Sequence, residues 1–323
     1  MSKNRQWMLA ALVGALAAGA QAEIVLSEKV KVDGFLDMSA VHIEGEDDST
    51  DTLSFDQWEV DIHLAPMDGV AARIDIDDQP AAQEGAEIEQ AFITLDLGKG
   101  FSAKAGKFLS VLGYEGAEPT LLYQYSVSAT IIGYPGYSSG VGLKYDFSGG
   151  SLYVAGVDGS YSGDGDAGSV SPEIQLVLKP IEGLTLQAGH ATEEFEATTT
   201  DEDEDGVLEP VPGFDKGIAN VWAEYKTGGL TVAAEYNSLF DMQGAGSDGD
   251  GYLVMLNYDW GKPALTLRHS AVELDNGYED TEFTISPSYQ LAEPLLVLVE
   301  YRHDDYGDAG EADTIAAEAI FMF

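Results

Sequence analysis

The sequence contains no cysteine, so neither disulfide bonds nor thiolate metal sites are available to the protein. It is also poor in basic residues, because 15 Lys and Arg stand against 57 Asp and Glu and the formal net charge is −42. A polyanion of this size repels nucleic acid and anionic membrane surfaces, and we therefore expect no nucleic-acid partner. It attracts cations, and it suits a saline medium in which counterions screen its self-repulsion.

Long apolar runs are missing as well, except near the N-terminus. There, two basic residues precede the apolar stretch 8–18, and Ala20-Gln21-Ala22 fits the small-x-small pattern of signal cleavage. This arrangement predicts a signal peptide over residues 1–22 and a mature chain over residues 23–323. A membrane anchor is the alternative, but the run is shorter than the ~20 residues that a spanning helix needs. Because no later stretch reaches that length, only a closed β-barrel could place the mature chain within a membrane.

Helical periodicity is hard to find beyond residue 28, where apolar and polar residues alternate almost everywhere. In residues 58–64, Trp, Val, Ile and Leu share one face, and Glu, Asp and His share the other. Residues 70–77 separate Val, Ala and Ile from Arg and Asp in the same way. Such alternation over short segments indicates β-strands with one polar face. A soluble β-sandwich alternates too, with its apolar face turned inward.

Two features favour a membrane barrel over a sandwich. Short turns, such as residues 98–100, alternate with longer acidic loops, such as residues 193–209, and this is typical of barrels with short periplasmic turns and long outer loops. Aromatic residues also gather at the ends of segments, as interfacial girdles require: Tyr258 and Trp260 end one segment, and Trp222 and Tyr225 lie within another.

The sequence therefore predicts an all-β protein, a transmembrane antiparallel β-barrel of about 16 strands with long acidic outer loops. The predicted strands are 29–43, 52–64, 69–77, 86–97, 101–108, 137–147, 151–158, 171–179, 184–192, 215–226, 229–238, 250–259, 264–274, 280–290, 295–303 and 312–323. In the last strand, Phe321 and the terminal Phe323 share one face. This ending resembles the assembly signal of bacterial outer-membrane proteins, so the predicted partners are the barrel-assembly machinery, outer-membrane lipid and lipopolysaccharide.

Several short motifs in the N-terminal half carry a family resemblance. They are Ile88-Glu89-Gln90-Ala91-Phe92, Ala105-Gly106-Lys107-Phe108, Leu112-Gly113-Tyr114-Glu115 with Glu118-Pro119, Tyr125-Ser126, and Ser139-Gly140-Val141-Gly142-Leu143-Lys144-Tyr145. This stretch resembles the OmpL-like family of Gram-negative β-barrel porins, the porin-2 group, whereas the C-terminal half shares only the general barrel pattern. The resemblance implies a diffusion channel without naming a solute. A homotrimer is an expectation taken from porins in general.

The longest connection, from Leu109 to about Gly136, is neither acidic nor of low complexity. Loops of this length are usually functional or disordered, and the apolar pairs at 121–122 and 131–132 favour burial. By strand count it is the third outer loop, and we predict that it folds into the lumen and narrows it. A surface loop, or an overlooked strand at 122–130, is the alternative. The predicted constriction residues are Tyr114, Glu115, Glu118, Tyr123, Tyr125 and Tyr134.

If the apolar faces contact lipid, the polar faces line the lumen. The predicted pore wall then contains the bases Arg73, Lys104, Lys144, Arg268 and Arg302 and the acids Glu59, Asp61, Asp75 and Asp77. Bases that face acids would set up a transverse field that orders polar solutes. The alternative is that these are ordinary lumenal charges that pair with one another.

Motifs for metals, cofactors and catalysis are incomplete. Asp201-x-Asp203-x-Asp205-Gly206 begins like a calcium loop, but Pro212 stands where the bidentate Glu is expected. The five His residues form no HExxH motif, and the glycine-rich segment 163–168 has no following helix that would make it a phosphate cradle. We therefore expect no metal site, no cofactor and no enzymatic activity.

The function that best fits these observations is a porin for passive diffusion of small polar solutes, with a bias towards cations. A substrate-selective channel for sugars or a chelated metal, with the tyrosine-rich loop as a stacking surface, is one alternative. A non-conducting barrel that acts as an adhesin, a receptor or a lipopolysaccharide-bridging protein is the other.

Overall fold

The computed structural model describes residues 23–46, 49–80, 85–163, 170–200 and 209–323. The predicted signal peptide and the start of the calcium-like motif lie outside these residues. In chain order the strands are β1 (Ile24–Ser27), β2 (Val30–Gly45), β3 (Ser49–Met67), β4 (Val70–Asp78), β5 (Glu87–Gly98), β6 (Phe101–Leu109), β7 (Tyr137–Phe147), β8 (Gly150–Asp158), β9 (Val170–Ile181), β10 (Leu184–Phe195), β11 (Thr198–Thr200), β12 (Glu209–Val211), β13 (Phe214–Thr227), β14 (Leu230–Phe240), β15 (Gly249–Asp259), β16 (Pro263–Leu274), β17 (Glu279–Ala292), β18 (Leu295–Asp305) and β19 (Glu311–Met322).

Sixteen of these strands form one closed antiparallel ring, which confirms the predicted barrel. Strands β2 to β10 each pair with the next strand in sequence, β10 pairs with β13, and the succession continues to β19, which pairs with β2. The sixteen predicted segments correspond to these strands in order. Strand β1 adds a short antiparallel extension to β2, and β11 and β12 form a separate hairpin. None of these three short strands was predicted.

The two faces of the ring differ in the way that a membrane barrel requires. On β15, Leu253 and Met255 are buried inside the ring, whereas Val254, Leu256 and Tyr258 are exposed on its outside. The same exposed apolar face continues around the barrel, while many polar side chains on the opposite parity of the strands are buried. A soluble sandwich would bury the apolar face instead, so the exposed band fits contact with lipid.

Helical structure in the described residues is limited to three 3₁₀ turns, Pro119–Leu121, Ala129–Gly133 and Gly307–Ala309. No helix in this part of the chain has the length and apolarity needed to cross a membrane. The first two turns lie in the connection between β6 and β7. This connection therefore contains no strand at 122–130, which excludes one alternative interpretation of it.

The C-terminus closes the seam of the ring. The backbone N–H and C=O of Phe323 exchange hydrogen bonds with the C=O and N–H of Gly34, both at 3.0 Å. A Cβ atom on Gly34 would collide with the backbone oxygen of Glu59 and the ring of Phe323, so the close approach requires glycine here. Phe321 lies on the outer face, with its ring centroid 6.5 Å from that of Phe323. Both aromatic side chains thus lie at the end of the strand that completes the barrel.

The prediction that Trp222 belongs to an aromatic girdle on the outer face is wrong. Trp222 points into the barrel with Asn220 and Glu224, and it is buried, whereas Tyr225 on the opposite parity is exposed. The period of two assigns Trp222 to the inner face, and its ring packs against Tyr114 of the β6–β7 connection.

Candidate constriction site inside the barrel

The connection between β6 and β7, residues 110–136, lies inside the ring, and we call it the inner loop. It is the third connection on its side of the barrel, so the prediction of an inward-folded third loop is confirmed. Its first residues are held by Glu173 of β9. The carboxylate of Glu173 accepts hydrogen bonds from Ser110 Oγ at 2.7 Å and from the Val111 N–H at 2.8 Å. The inner loop therefore starts against the wall next to its own strand.

Two further wall glutamates hold the inner loop through its backbone. Glu235 of β14 accepts a hydrogen bond from the Tyr114 N–H at 2.9 Å. Glu300 of β18 accepts hydrogen bonds from the N–H groups of Tyr125 at 2.9 Å and Ser126 at 3.2 Å. Hydrogen bonds between a backbone N–H and an ionised carboxylate are roughly twice as strong as neutral ones. These carboxylates fix the course of the inner loop across the lumen from β9 to β18.

Arg268 of β16 is the centre of the strongest anchor. Its guanidinium donates to Glu115 at 3.1 Å, to the Ser126 carbonyl at 2.6 Å, to Glu282 at 3.1 Å and to Thr284 at 3.2 Å. None of the Arg268 side chain is exposed. Arg268 thus faces the interior, as its strand parity predicts, but the inner loop covers it completely. It binds the inner loop to the wall and does not contact the lumenal solution.

Two predicted constriction tyrosines are engaged in the same way. The Tyr114 hydroxyl donates to Glu224 at 3.1 Å, and its ring packs against Trp222 with centroids 5.6 Å apart. The Tyr134 hydroxyl donates to Glu235. Apolar packing between the inner loop and the wall adds to these bonds through Leu112, Ala129, Ile218, Leu239, Val272 and Leu274. The burial of these side chains explains why a loop with so few charges is retained inside the barrel.

The opposite wall, on β3 and β4, approaches the inner loop at Glu118. Arg73 of β4 binds Asp75 at 2.6 Å and Asp61 at 3.2 Å, and its Nη2 atom lies 3.8 Å from Glu59 and 3.9 Å from Glu118. The sequence-predicted residues Arg73, Glu59, Asp61, Asp75 and Glu118 are therefore brought together at one place. The fourth predicted acid, Asp77, is also buried on the inner face of β4.

Glu89 joins this group because of a β-bulge. Ile76 of β4 pairs with Ile88 and Asp75 pairs with Gln90, so Glu89 is an extra residue in β5. Glu89 and Gln90 are consequently both buried inside, although neighbours in a regular strand point to opposite faces. The Gln90 side chain donates to Asp75 at 2.7 Å and thereby fixes the bulge. Sequence alternation alone gives no sign of this arrangement, and Glu89 was not among the predicted site residues.

Of the remaining predicted bases, Lys104 and Lys144 lie on the paired strands β6 and β7, whereas Arg302 lies elsewhere in the ring, on β18. Lys104 of β6 is buried, and its ammonium nitrogen lies 3.9 Å from the centroid of the Phe108 ring. Lys144 of β7 binds Asp146 at 3.0 Å, and Arg302 of β18 binds Asp304 at 3.0 Å. The predicted bases all lie on inward-facing positions, but they do not form a continuous basic wall opposite the acids.

A second acidic group lines the seam of the barrel. It consists of Asp37, Asp56, Glu300 and Glu318, on β2, β3, β18 and β19. Each has a buried carboxylate oxygen for which no hydrogen-bond donor is found within the described part of the chain. Burial of a charge without a partner is unfavourable. Such residues are therefore more informative about function than charges on the surface.

Among known protein families, a family model described as Gram-negative porin matches residues 9–319, which is most of the chain. This match confirms the resemblance to Gram-negative porins seen in residues 88–145, and it extends across both halves of the chain. No protein with a curated functional description matches the sequence.

Solved structures with a similar fold include several outer-membrane proteins. OmpF of Salmonella typhi in complex with daunomycin has a TM-score of 0.68 at 12% identity, over 93% of this chain and 100% of that chain. The loop L8 deletion mutant of OmpT from Vibrio cholerae has a TM-score of 0.65 at 15% identity, over 91% and 99%. An anion-selective porin from Comamonas acidovorans has a TM-score of 0.64 at 11% identity, over 91% and 99%. At these identities the likeness shows a shared barrel fold.

Proposed function

The chain belongs to the Gram-negative porin family, and on that premise we propose that it conducts small polar solutes by passive diffusion with a preference for cations. As a member of this family it is a β-barrel of the outer membrane.

The acidic group between the inner loop and the wall is the observation that carries the proposal. Four carboxylates lie within 4 Å of the Arg73 guanidinium, those of Glu59, Asp61, Asp75 and Glu118. A fifth, Glu89, lies beside Glu59 and Glu118. Fixed negative charge at a constriction attracts cations and repels anions. The excess of acids at this point therefore supports cation preference more directly than the net charge of the whole chain does.

The distribution of the bases supports the same conclusion. Arg268 is enclosed beneath the inner loop, and Lys104 is buried among aromatic rings. Arg302 and Lys144 are each paired with an acid, Asp304 and Asp146, at a nitrogen–oxygen distance of 3.0 Å. The acids of the seam, in contrast, face the interior without a basic partner in any described ion pair. A basic wall that would favour anions is therefore not formed by the predicted residues.

Planar-bilayer recording of the refolded mature chain tests the proposal. The reversal potential under a KCl gradient should show cation selectivity, and stable open steps should be present. At about 1 M salt the Debye length is about 3 Å, so the outer loops are screened and only charges at the constriction still act. We expect selectivity to decline with salt but to persist at that concentration.

A matched pair of variants refines this test. Glu118→Gln removes one charge from the constriction, and Glu194→Gln removes one from an exposed position near the outer end of β10. The first change should lower cation selectivity at high salt, and the second should leave it unchanged. Absence of open steps would favour the non-conducting barrel instead, and anion selectivity would contradict the charge argument.

The sugar-selective alternative receives less support. Tyr114 is buried, and the hydroxyl groups of Tyr114 and Tyr134 are bound to wall glutamates. These rings therefore pack between the inner loop and the wall and do not offer a stacking surface to a solute. A general diffusion channel needs no such surface.

The partners of the barrel follow from its outer surface. We propose contact with outer-membrane lipid and lipopolysaccharide along the exposed apolar band, and recognition of the Phe321–Phe323 end by the barrel-assembly machinery. We also propose a homotrimer, as in the trimer form in which OmpT of Vibrio cholerae has been solved.

A further inference from the structure

We propose that Glu59, Glu89 and Glu118 form a binding site for a divalent cation of the Ca²⁺ type. Each residue offers a carboxylate oxygen, and these three atoms lie within 4.8 Å of one another. Two ligands at 2.3–2.6 Å from the same ion can be at most about 5 Å apart, so one Ca²⁺ ion could contact all three. The three residues come from β3, from the bulge of β5 and from the inner loop.

Glu59 provides the independent indication that a ligand belongs here. Its side chain is completely enclosed, with 0% exposure. Neither of its carboxylate oxygens receives a hydrogen bond from any of the described residues. A fully buried carboxylate without a donor is strongly unfavourable unless it takes up a proton or a cation. Because the Glu59 carboxylate lies within 4.8 Å of carboxylate oxygens of four other acids, a cation satisfies more of them than a single proton does.

The nearest base does not remove this need. Arg73 makes its two shortest ion-pair contacts with Asp75 and Asp61, at 2.6 and 3.2 Å. Its distances to Glu59 and Glu118 are 3.8 and 3.9 Å, which is beyond hydrogen-bond range. One guanidinium is therefore shared among four carboxylates, and Glu89 adds a fifth. When all are ionised, a divalent cation reduces the excess charge but does not reverse it.

The donor set indicates the class of ion. All three ligands are carboxylate oxygens, and hard cations such as Ca²⁺ prefer oxygen. The site has no histidine or cysteine ligand that would favour Zn²⁺ or Cu²⁺. Carboxylates from three separate elements suit the flexible geometry of Ca²⁺ better than the strict octahedron of Mg²⁺.

A cation at this position would connect the inner loop to the wall that faces it. The anchors described above bind the inner loop to β9, β13, β14, β16 and β18, whereas Glu118 is its point of approach to β3 and β5. A bound ion would hold this approach closed and would reduce the negative charge that attracts monovalent cations to the constriction. Ca²⁺ should therefore block current, a consequence that rests on the proposed channel function.

Binding is measured first, by calorimetric titration of CaCl₂ into the refolded mature protein after treatment with a chelator. The titration uses about 0.15 M KCl, where a Debye length of about 8 Å weakens diffuse attraction to the acidic outer loops. Glu59→Gln and Glu118→Gln should each weaken the tightest Ca²⁺ site by on the order of tenfold or more, because affinity follows the number of charged ligands. Glu318→Gln is the matched control, since it changes an equally buried glutamate of the seam that lies outside the site. Its Ca²⁺ affinity should equal that of the wild type.

Equal Ca²⁺ affinity in the wild type and all three variants would overturn the site, because binding would then be to the outer loops alone. If Glu59→Gln does not fold, Glu118→Gln decides the question, since Glu118 lies on the inner loop and outside the strand ladder. Bilayer recording separates this inference from the proposed function. Ca²⁺ binding that depends on Glu118 in a barrel without open steps would support the site and refute the channel. The opposite result is a cation-selective channel in which the wild type and Glu118→Gln have the same Ca²⁺ affinity and the same Ca²⁺ block. It would support the channel function and refute the site.

Discussion

Replacing Arg268 with methionine should release the inner loop while leaving the ring of strands closed. The guanidinium of Arg268 is the common partner of Glu115 on the inner loop and Glu282 on the wall, and it also binds the carbonyl of Ser126. Methionine replaces the apolar stem of arginine but is shorter and has no hydrogen-bond donor. The substitution therefore leaves two buried carboxylates without the cation that compensates them, whereas the hydrogen bonds between the strands stay intact.

The size of the effect follows from the burial of the pair. Removal of one partner from a buried ion pair costs about 3–5 kcal/mol, mainly because the remaining charge stays buried. Since 1.4 kcal/mol corresponds to a factor of ten, local opening of the segment around Glu115 and Ser126 should become about 10² to 10³·⁵ times more populated. Anchors at Glu173, Glu235 and Glu300 remain, so we expect partial release of the inner loop and not its complete expulsion.

Hydrogen exchange and single-channel recording check this expectation together. Backbone amides of residues 125–129 should exchange faster in Arg268→Met, and the channel should show larger and noisier conductance. Arg302→Met is the control, because its ion pair is with Asp304 of its own strand and not with the inner loop. Wild-type exchange and wild-type conductance in Arg268→Met would refute the view that this residue holds the constriction.

Three further changes test other parts of the barrel. Deletion of Phe323 removes both hydrogen bonds to Gly34 at the seam, so exported protein should accumulate in the periplasm, and normal amounts in outer-membrane fractions would count against this role. Lys104→Met should preserve or raise the midpoint of thermal unfolding in detergent, because the buried ammonium has no hydrogen-bond acceptor among the residues described. A clearly lower midpoint would mean that the contacts of the ammonium with aromatic rings stabilise the fold by more than its burial costs. A protease site inserted within residues 201–205 should be cleaved on intact cells, since the connection from β10 to β13 leaves the same end of the barrel as the inner loop; cleavage only after rupture of the outer membrane would reverse the assigned orientation.

The order and number of the ring strands could be predicted because a membrane barrel imposes a simple rule on every strand. Leu253 and Val254 differ little in hydrophobicity, yet the period of two fixes one inside and one outside. The strands that were missed lack this signal. Strand β1 has four residues, all of them exposed, and β11 and β12 have three residues each within an acidic connection.

The candidate site could be predicted only in part, because parity assigns a side chain to the interior but does not say what it meets there. Arg73 and Arg268 both have inward parity, yet one faces the acidic group and the other lies beneath the inner loop. The partner of the Tyr125 N–H is Glu300, which is 175 positions away in sequence. Glu89 turns inward only because a bulge breaks the alternation. Non-local contacts and bulges are tertiary features that no local pattern encodes.

The acids inside the barrel perform two different tasks, and the distinction explains why so many are present. Glu173, Glu235 and Glu300 accept hydrogen bonds from the inner loop, so their burial is compensated by structure. Glu59 has no comparable compensation, because neither of its carboxylate oxygens receives a hydrogen bond from the described residues, and a neutral side chain of the same size would satisfy the fold at lower cost. A barrel under selection for stability alone would not retain this carboxylate. Its position on β3, where the wall meets Glu118 of the inner loop, therefore favours a role in attracting cations to the constriction.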